Sequence, residues 1–231
     1  MEKTGNIISI HQPNFIPWLG YFYKIYQSDI FVFLDDVQFS NQGMHNYHYI
    51  KTSQGPFRLK IPVRKNFKDN INKVWINDDV DWKEKHLKTF IANYKRSPYF
   101  EEVFNDLSLF YNDDFSNLAL FNSEMIAFIC KKLGIVTRFV NSSDLNIESV
   151  REQKIIDICI ALKGSIYYSG TGAKAYQNED NFKANGLELR YSSFKVFEYP
   201  QLWGDFQSNV TIIDYLMNCG YNWEKVLSNQ K

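Results

Sequence analysis

Three clusters of polar residues in this chain combine residue type and spacing in a way that suits chemistry. His11, Gln12 and Asn14 follow directly on the apolar run at 7–10. Asp35, Asp36 and Gln38 close a second apolar run at 30–34, and Ser169, Gly170, Thr171, Gly172 and Ala173 close a third at 166–168. An imidazole can take a proton from an attacking group or donate to a developing anion. Carboxylates can accept hydrogen bonds from sugar hydroxyls or hold an ammonium group. A turn of small residues lets backbone N–H groups approach an anion, and a helix start beyond it favours negative charge. His11, Asp35 and Asp36 are therefore the candidate catalytic groups. Gln12, Asn14, Tyr21, Lys24, Gln38, Asn46, His48 and His86 are candidate substrate contacts, with Lys24 expected to neutralise phosphate charge. Ser169, Gly170, Thr171 and Gly172 form the candidate phosphate-binding turn. Neighbouring side chains on a strand point to opposite faces, so only one of Asp35 and Asp36 is expected to face a site.

Other chemistries find less support. His11, His45, His48 and Asp35 lack the close spacing of a metal site, and none is expected. The SGTGA turn has no P-loop lysine and does not match the dinucleotide fingerprint. Cys130, Cys159 and Cys219 are scattered in apolar helical contexts, which suits buried free thiols. No GxSxG elbow is present, so covalent catalysis is disfavoured. His86 falls at intervals of four with Trp82, Phe90 and Tyr94, a spacing equally suited to a core histidine.

The elements that must position these groups alternate in type. Strands are expected at 7–10, 30–34, 71–76, 135–140, 166–168 and 187–191, with a hairpin around the turn signal Gly55-Pro56. A helix is expected to begin at Pro17, where a proline loses no intrahelical hydrogen bond. Further helices are expected over 82–94, 99–112, 115–133, 154–162 and 178–185. Gly134 is expected to cap the fourth of these six helices, and a last helix is opened by Ser208 or Asn209 and closed by Gly220. Alternating strands and helices imply an α/β fold with a mostly parallel, open, Rossmann-like sheet. The chain reads as one α/β domain over 1–231, with 82–133 as a helical insertion or subdomain. In such sheets ligands bind at the carboxyl ends of the strands, where all three polar clusters fall.

The chain has 231 residues, 45% of them hydrophobic, which supports a real core and argues against disorder. With 26 basic and 26 acidic residues and no run of like charge, it carries no footprint for nucleic acid. Aromatic residues reach 17%, and most are expected in the core. The opening MEKTGN has no pattern of a secretory leader, and no apolar stretch is long enough for a membrane helix. A cytoplasmic protein is expected.

Several segments together resemble the WbqC-like protein family. They are IHQPNFIPWLGYFYKI at 10–25, FLDDVQF at 33–39, IKTSQGPFRLKIPV at 50–63, W-x-x-K-H at 82–86, SPYF at 97–100, YYSGTGAKAY at 167–176 and SNVTIIDYLMNCG at 208–220. They span nearly the whole chain in the expected order. One loop departs from the family pattern: His45-Asn46-Tyr47-His48-Tyr49-Ile50-Lys51 stands where Gln-Asn-Arg-Asn-x-Ile-Lys is common, and Tyr47 cannot supply a bidentate cationic fork. A looser resemblance is to the HxGH nucleotidylyltransferase superfamily. Pro17-Trp18-Leu19-Gly20-Tyr21 lacks both signature histidines, so that resemblance concerns architecture alone.

The first resemblance implies a bacterial protein of O-antigen or related surface-polysaccharide synthesis. Combined with the residues above, it leads to an enzyme that transfers an acyl or aminoacyl group to the amine of a nucleotide-linked sugar. The donor would be a thioester such as acyl-CoA or an acid activated by ATP. Here His11 takes the amine proton, Gln12 and Asn14 orient the substrate, and Asp35 or Asp36 holds sugar hydroxyls or the ammonium. The alternative is a non-catalytic sugar-nucleotide-binding scaffold, acting as a homo-oligomer or within a biosynthetic complex. A glycosyltransferase ranks lower, because Asp35-Asp36-Val37 lacks the Asp-x-Asp spacing.

Overall fold

The computed structural model describes residues 5–231; the first four residues of MEKTGN, considered above for a leader, lie outside them. In chain order the elements begin with β1 (Asn6–His11), α1 (Leu19–Tyr26), β2 (Ile30–Phe33), β3 (Tyr47–Thr52), β4 (Gly55–Lys60), β5 (Val63–Arg64) and β6 (Trp75–Ile76). Then come α2 (Trp82–Tyr94), α3 (Phe100–Asn112), α4 (Leu118–Lys132), β7 (Arg138–Asn141), α5 (Arg151–Ala161) and β8 (Gly164–Ser169). The chain ends with α6 (Glu179–Ala184), β9 (Glu188–Tyr191), α7 (Ile212–Cys219) and α8 (Trp223–Ser228). They divide into two compact units. The first takes the chain up to Pro13, Gly20–Asp36 and Ile135–Phe194; the second takes Asn14–Leu19, Val37–Gly134 and Lys195–Lys231.

The first unit is an α/β layer built on a five-stranded sheet in the order β7-β2-β1-β8-β9, with every pairing parallel. Ile8 pairs with Ile30 on one side and Tyr167 on the other, which makes β1 the central strand. A central parallel strand is buried on both faces, so its isoleucines at 7, 8 and 10 do not alternate with exposed residues, and Ser9 between them is itself buried. Ile8, Ile10, Ile30 and Val32 meet Ile156 and Cys159 of α5 and Phe182 of α6 in one apolar core. The chain works outward from β1 through β2 to β7, then crosses back to lay β8 and β9 on the other side. This reversal between β1 and β8 is a topological switch point, where open α/β sheets leave a crevice for ligands outside the strand ends.

The second unit pairs β3 with β4 and β5 with β6, both antiparallel, and adds α2, α3, α4, α7 and α8. Trp82, His86, Phe90 and Tyr94 are all buried on α2, as their spacing by fours predicts. The Trp82 ring packs on Tyr111 of α3 and Phe121 of α4. Gly134 follows α4 with φ of +70°, the left-handed cap its position suggested. The three cysteines are buried and unpaired, as their contexts implied.

Several local boundaries differ from the sequence reading. The helix after Pro17 starts at Leu19. Residues 71–76 split into a 3-10 turn, Ile71–Lys73, and the two-residue β6. Gly55 and Pro56 already belong to β4, pairing with Thr52 and Lys51, so Ser53 and Gln54 make the turn. The last long helix is capped by Thr211, whose hydroxyl accepts the Ile213 N–H, and not by Ser208 or Asn209. A threonine in the middle of an apolar stretch gives no strong boundary signal, yet its short side chain fits the cap.

Candidate functional site

The carboxyl edge of the first unit holds His11 and Gln12 of the first cluster at the end of β1. His11 is half-buried, and its Nδ1 lies 3.1 Å from the Gln12 carbonyl oxygen. A carbonyl only accepts, so this contact assigns the proton to Nδ1 in the neutral ring and the lone pair to Nε2. The Tyr21 hydroxyl donates to the same carbonyl at 2.9 Å, and its ring meets the imidazole edge-on with centroids 4.8 Å apart. Tyr21 is buried, so it positions His11 and the Gln12 backbone rather than presenting its hydroxyl to a substrate.

Lys24 departs from its expected role. Its side chain is only 4% exposed, its Nζ donates to the Ile10 carbonyl at 2.9 Å, and the Phe31 ring lies 5.7 Å from the ammonium. Burial lowers its pKa from 10.5 to about 7. An ammonium turned inward onto the strand backbone is not a surface neutraliser of phosphate; α1 places it beneath the end of β1.

The two aspartates also differ from expectation, because β2 ends at Phe33 and strand alternation no longer governs them. Both converge on Ser142. The Ser142 hydroxyl lies 2.5 Å from Asp36 Oδ1 and 3.1 Å from Asp35 Oδ1, and its single proton goes to the nearer oxygen. Ser143 gives Asp35 a backbone N–H at 3.0 Å and its hydroxyl at 2.7 Å. Lys154 of α5 donates to Asp36 Oδ2 at 2.8 Å and to the Ile147 carbonyl at 2.7 Å. The aspartates thus tie the end of β2 to the loop after β7 and to α5. Lys154, Ser142 and Ser143 were not among the candidates. A signal existed for Lys154, which stands four residues before Ile158 on the buried stripe of α5.

The third cluster sits across the switch point. Beyond the pairing of Ile8 with Tyr167, the Ser9 hydroxyl donates to the Tyr168 carbonyl at 2.8 Å, so the two strand ends run on side by side. Ser169 is buried, while Thr171 and Gly172 are exposed. A 3-10 turn, Thr171–Tyr176, follows the small residues in place of the α-helix start expected there. Its short run offers backbone N–H groups but little of the dipole of a long α-helix. Gly170 has an ordinary φ of −74°, and a methyl group built on it or on Gly172 meets nothing within 4 Å. There is room beside the turn for an incoming group. A cleft of about 640 Å³ opens there, lined by Arg151, Glu152 and Ile155 of α5 and by Ala173, Tyr176 and Asn178 after β8. Glu152 braces it, accepting the Asn178 N–H at 2.7 Å and the Asn181 amide at 2.6 Å.

The remaining candidates belong to the second unit. Gln38 is exposed and bridges to Asn70, and Asn14 is half-buried. Asn46 donates its side-chain amide to the Ile61 carbonyl and accepts the Ile61 N–H on its own backbone oxygen. His48 is buried, and its Nδ1 accepts the Tyr49 N–H at 2.9 Å. His86 bridges the Tyr111 hydroxyl at 3.2 Å and the Lys60 carbonyl at 3.1 Å. Desolvation lowers the pKa of both imidazoles to about 4, so they are neutral near pH 7. Asn46, His48 and His86 therefore serve the packing of this unit. Among the described residues, no group of His, Cys, Asp or Glu side chains forms a metal cluster.

Comparison with known proteins agrees with the segments quoted above. The model of the WbqC-like protein family matches residues 12–225, so the chain belongs to that family. It is 33% identical over 217 residues to the uncharacterized protein Rv1507c of Mycobacterium tuberculosis (strain ATCC 25618 / H37Rv), covering 92% of this chain and 94% of the relative. No solved structure matches it. Among the described residues, no helix is long and apolar enough to cross a membrane.

Proposed function

We propose that this WbqC-like protein binds a nucleotide-linked sugar at the carboxyl ends of β1 and β8 and transfers an acyl or aminoacyl group to the sugar's amine. The setting is the synthesis of bacterial surface-polysaccharide precursors. The observation that carries the reading is the strand order: the sheet reverses between β1 and β8, with His11 at one strand end and the Ser169–Gly172 turn at the other. Phosphates would lie against the open space at Gly170 and Gly172, and the nucleoside would extend into the cleft beside Arg151 and Tyr176.

In the transfer, the amine nitrogen bonds to the acyl carbon and its proton passes to His11 Nε2. The thiolate of a thioester donor, or the phosphate of an acyl adenylate, leaves with the electrons of the broken bond. The hydrogen bond from Nδ1 to the Gln12 carbonyl fixes the tautomer that the base requires. The aspartates and Lys154 hold the neighbouring loops. A second reading, a non-catalytic sugar-nucleotide-binding scaffold, draws on the engagement of all four carboxylate oxygens of Asp35 and Asp36 by Ser142, Ser143 and Lys154.

Thermal shift against UDP- and dTDP-linked amino sugars tests the binding, since a ligand at 100 times its Kd stabilises by about 2.7 kcal/mol. A rise that disappears in Gly170→Val supports the site; the same rise in both proteins refutes it. Turnover with acyl-CoA, or with ATP and a free acid, then tests the chemistry. Loss in His11→Ala with binding retained supports catalysis, and unchanged turnover in that variant removes His11 from it.

A further inference from the structure

The second unit holds a cleft of about 500 Å³ that the proposed reaction does not use. Its lining is largely apolar, from Tyr49 of β3, Pro56 of β4, Phe206 and Val210. Gln207, Ser208 and Asn209, between Phe206 and Val210 in the chain, add the polar part of the lining. No charged side chain lines it, so it lacks the means to attract a phosphate or carboxylate ligand.

The segment that carries the polar residues is firmly held. Lys51 lies on β3 two residues from Tyr49, on the same face, and is 1% exposed. An ammonium has three N–H donors, and here each has an acceptor: Gln201 Oε1 at 3.1 Å, the Gly204 carbonyl at 3.1 Å and the Asp205 carbonyl at 2.6 Å. Gln201 in turn grips the Gln207 backbone at two points, accepting its N–H at 2.9 Å and donating to its carbonyl at 2.9 Å. The Thr211 N–H then bonds to the Tyr49 carbonyl at 2.8 Å, closing the segment onto β3. A buried cation is costly to fold around unless its donors are met. This one is spent on fixing a segment without helix or strand that forms one side of a cleft.

We infer that this cleft is a binding site for a neutral saccharide. A pyranose has C–H faces that pack on aromatic rings and an equatorial rim of hydroxyls that both donate and accept. Tyr49 and Phe206 supply the first kind of surface, and Ser208 and Asn209 supply the second. A purely apolar ligand such as an acyl chain would leave Ser208 and Asn209 without partners, and a nucleotide would find no cation. The site is independent of the sugar-nucleotide reading of the first unit.

Saturation-transfer NMR and calorimetry on the full chain, with the methyl glycosides of glucose, galactose, mannose and N-acetylglucosamine and with octanoate as the apolar control, test this. The expected result is transfer to at least one glycoside. Its Kd should rise about tenfold in Tyr49→Leu, the equivalent of one aromatic contact, and measurably in the exposed Asn209→Ala. Gly170→Val should bind it as the wild type does. Silence with every glycoside overturns the proposal, as does transfer that neither variant weakens. Binding of octanoate but not of sugars would overturn the saccharide class. If Tyr49→Leu fails to fold, Asn209→Ala alone decides between these outcomes.

Discussion

Replacing Lys24 by methionine should stabilise this protein at pH 6, although it deletes a hydrogen bond. The ammonium is almost completely enclosed, it touches the Ile10 carbonyl and the Phe31 face, and no neighbouring charge contributes to its pKa shift. Its pKa falls from 10.5 in the exposed chain to about 7 in the fold. Between those values the unfolded chain holds a proton that the native state has released, so stability rises with pH across this window. The slope approaches about 1.4 kcal/mol per pH unit. Across the whole window the cost of the buried charge amounts to roughly 5 kcal/mol. Below pH 7 both states are protonated, so that cost is present in full and the contribution is flat. Lys24→Met abolishes the cost but leaves the Ile10 carbonyl without this donor, a loss of about 1–3 kcal/mol. The variant should therefore be more stable than the wild type by about 2–4 kcal/mol at pH 6, with the advantage shrinking above pH 7 and reversing between about pH 8 and pH 10. Urea unfolding of both proteins from pH 6 to pH 10 measures it, because other titrating groups cancel in the difference. A difference that does not change with pH would refute the reasoning, and so would a variant less stable at pH 6.

Lys154→Met should do the opposite at neutral pH, costing about 3–5 kcal/mol, because it strands the Asp36 carboxylate in a largely enclosed position. Adding Asp36→Asn should recover part of that loss, and chemical denaturation of the two singles and the double would show strict additivity if the pair were not coupled. Gly43→Ala should lower the melting temperature, since its new methyl would sit 2.1 Å from Nε2 of the fully buried His45; an unchanged melting temperature would mean the ring moves aside at no cost.

The sheet was legible because its strands are short apolar runs with abrupt polar ends, and central parallel strands look like nothing else of that length. Helix α2 was legible for a similar reason, its four buried residues standing at strict fours. The parts that escaped depend on partners distant in sequence. Asp35 and Asp36 seemed to oppose one another under strand alternation, but Ser142, more than a hundred residues away, draws both to one point just beyond the strand. Lys24, Lys51 and Lys154 carry equal charge in sequence. In the fold one lies against a carbonyl and a ring, one satisfies three oxygen acceptors, and one pairs with a carboxylate. Nothing local distinguishes them, because each fate is set by what the topology brings alongside. Positions 208 and 209 attracted notice as possible caps; in the structure they belong to the wall of a cleft.

These corrections narrow the proton chemistry available at the carboxyl edge of the first unit. A general base needs a lone pair facing the reacting atom and room to accept its proton. Asp35 and Asp36 accept hydrogen bonds from Ser142, Ser143 and Lys154 on every oxygen, contacts that hold two loops. Lys24 can release a proton near neutrality, but it is enclosed beneath β1 and bonded to that strand's backbone. His11 is half-buried at the strand end, and the Gln12 carbonyl fixes its Nδ1 as a donor. Under the proposed transfer His11 is the base. The residues expected to share its work act as its frame, Tyr21 through the Gln12 carbonyl and the aspartates through the loops that border the strand ends.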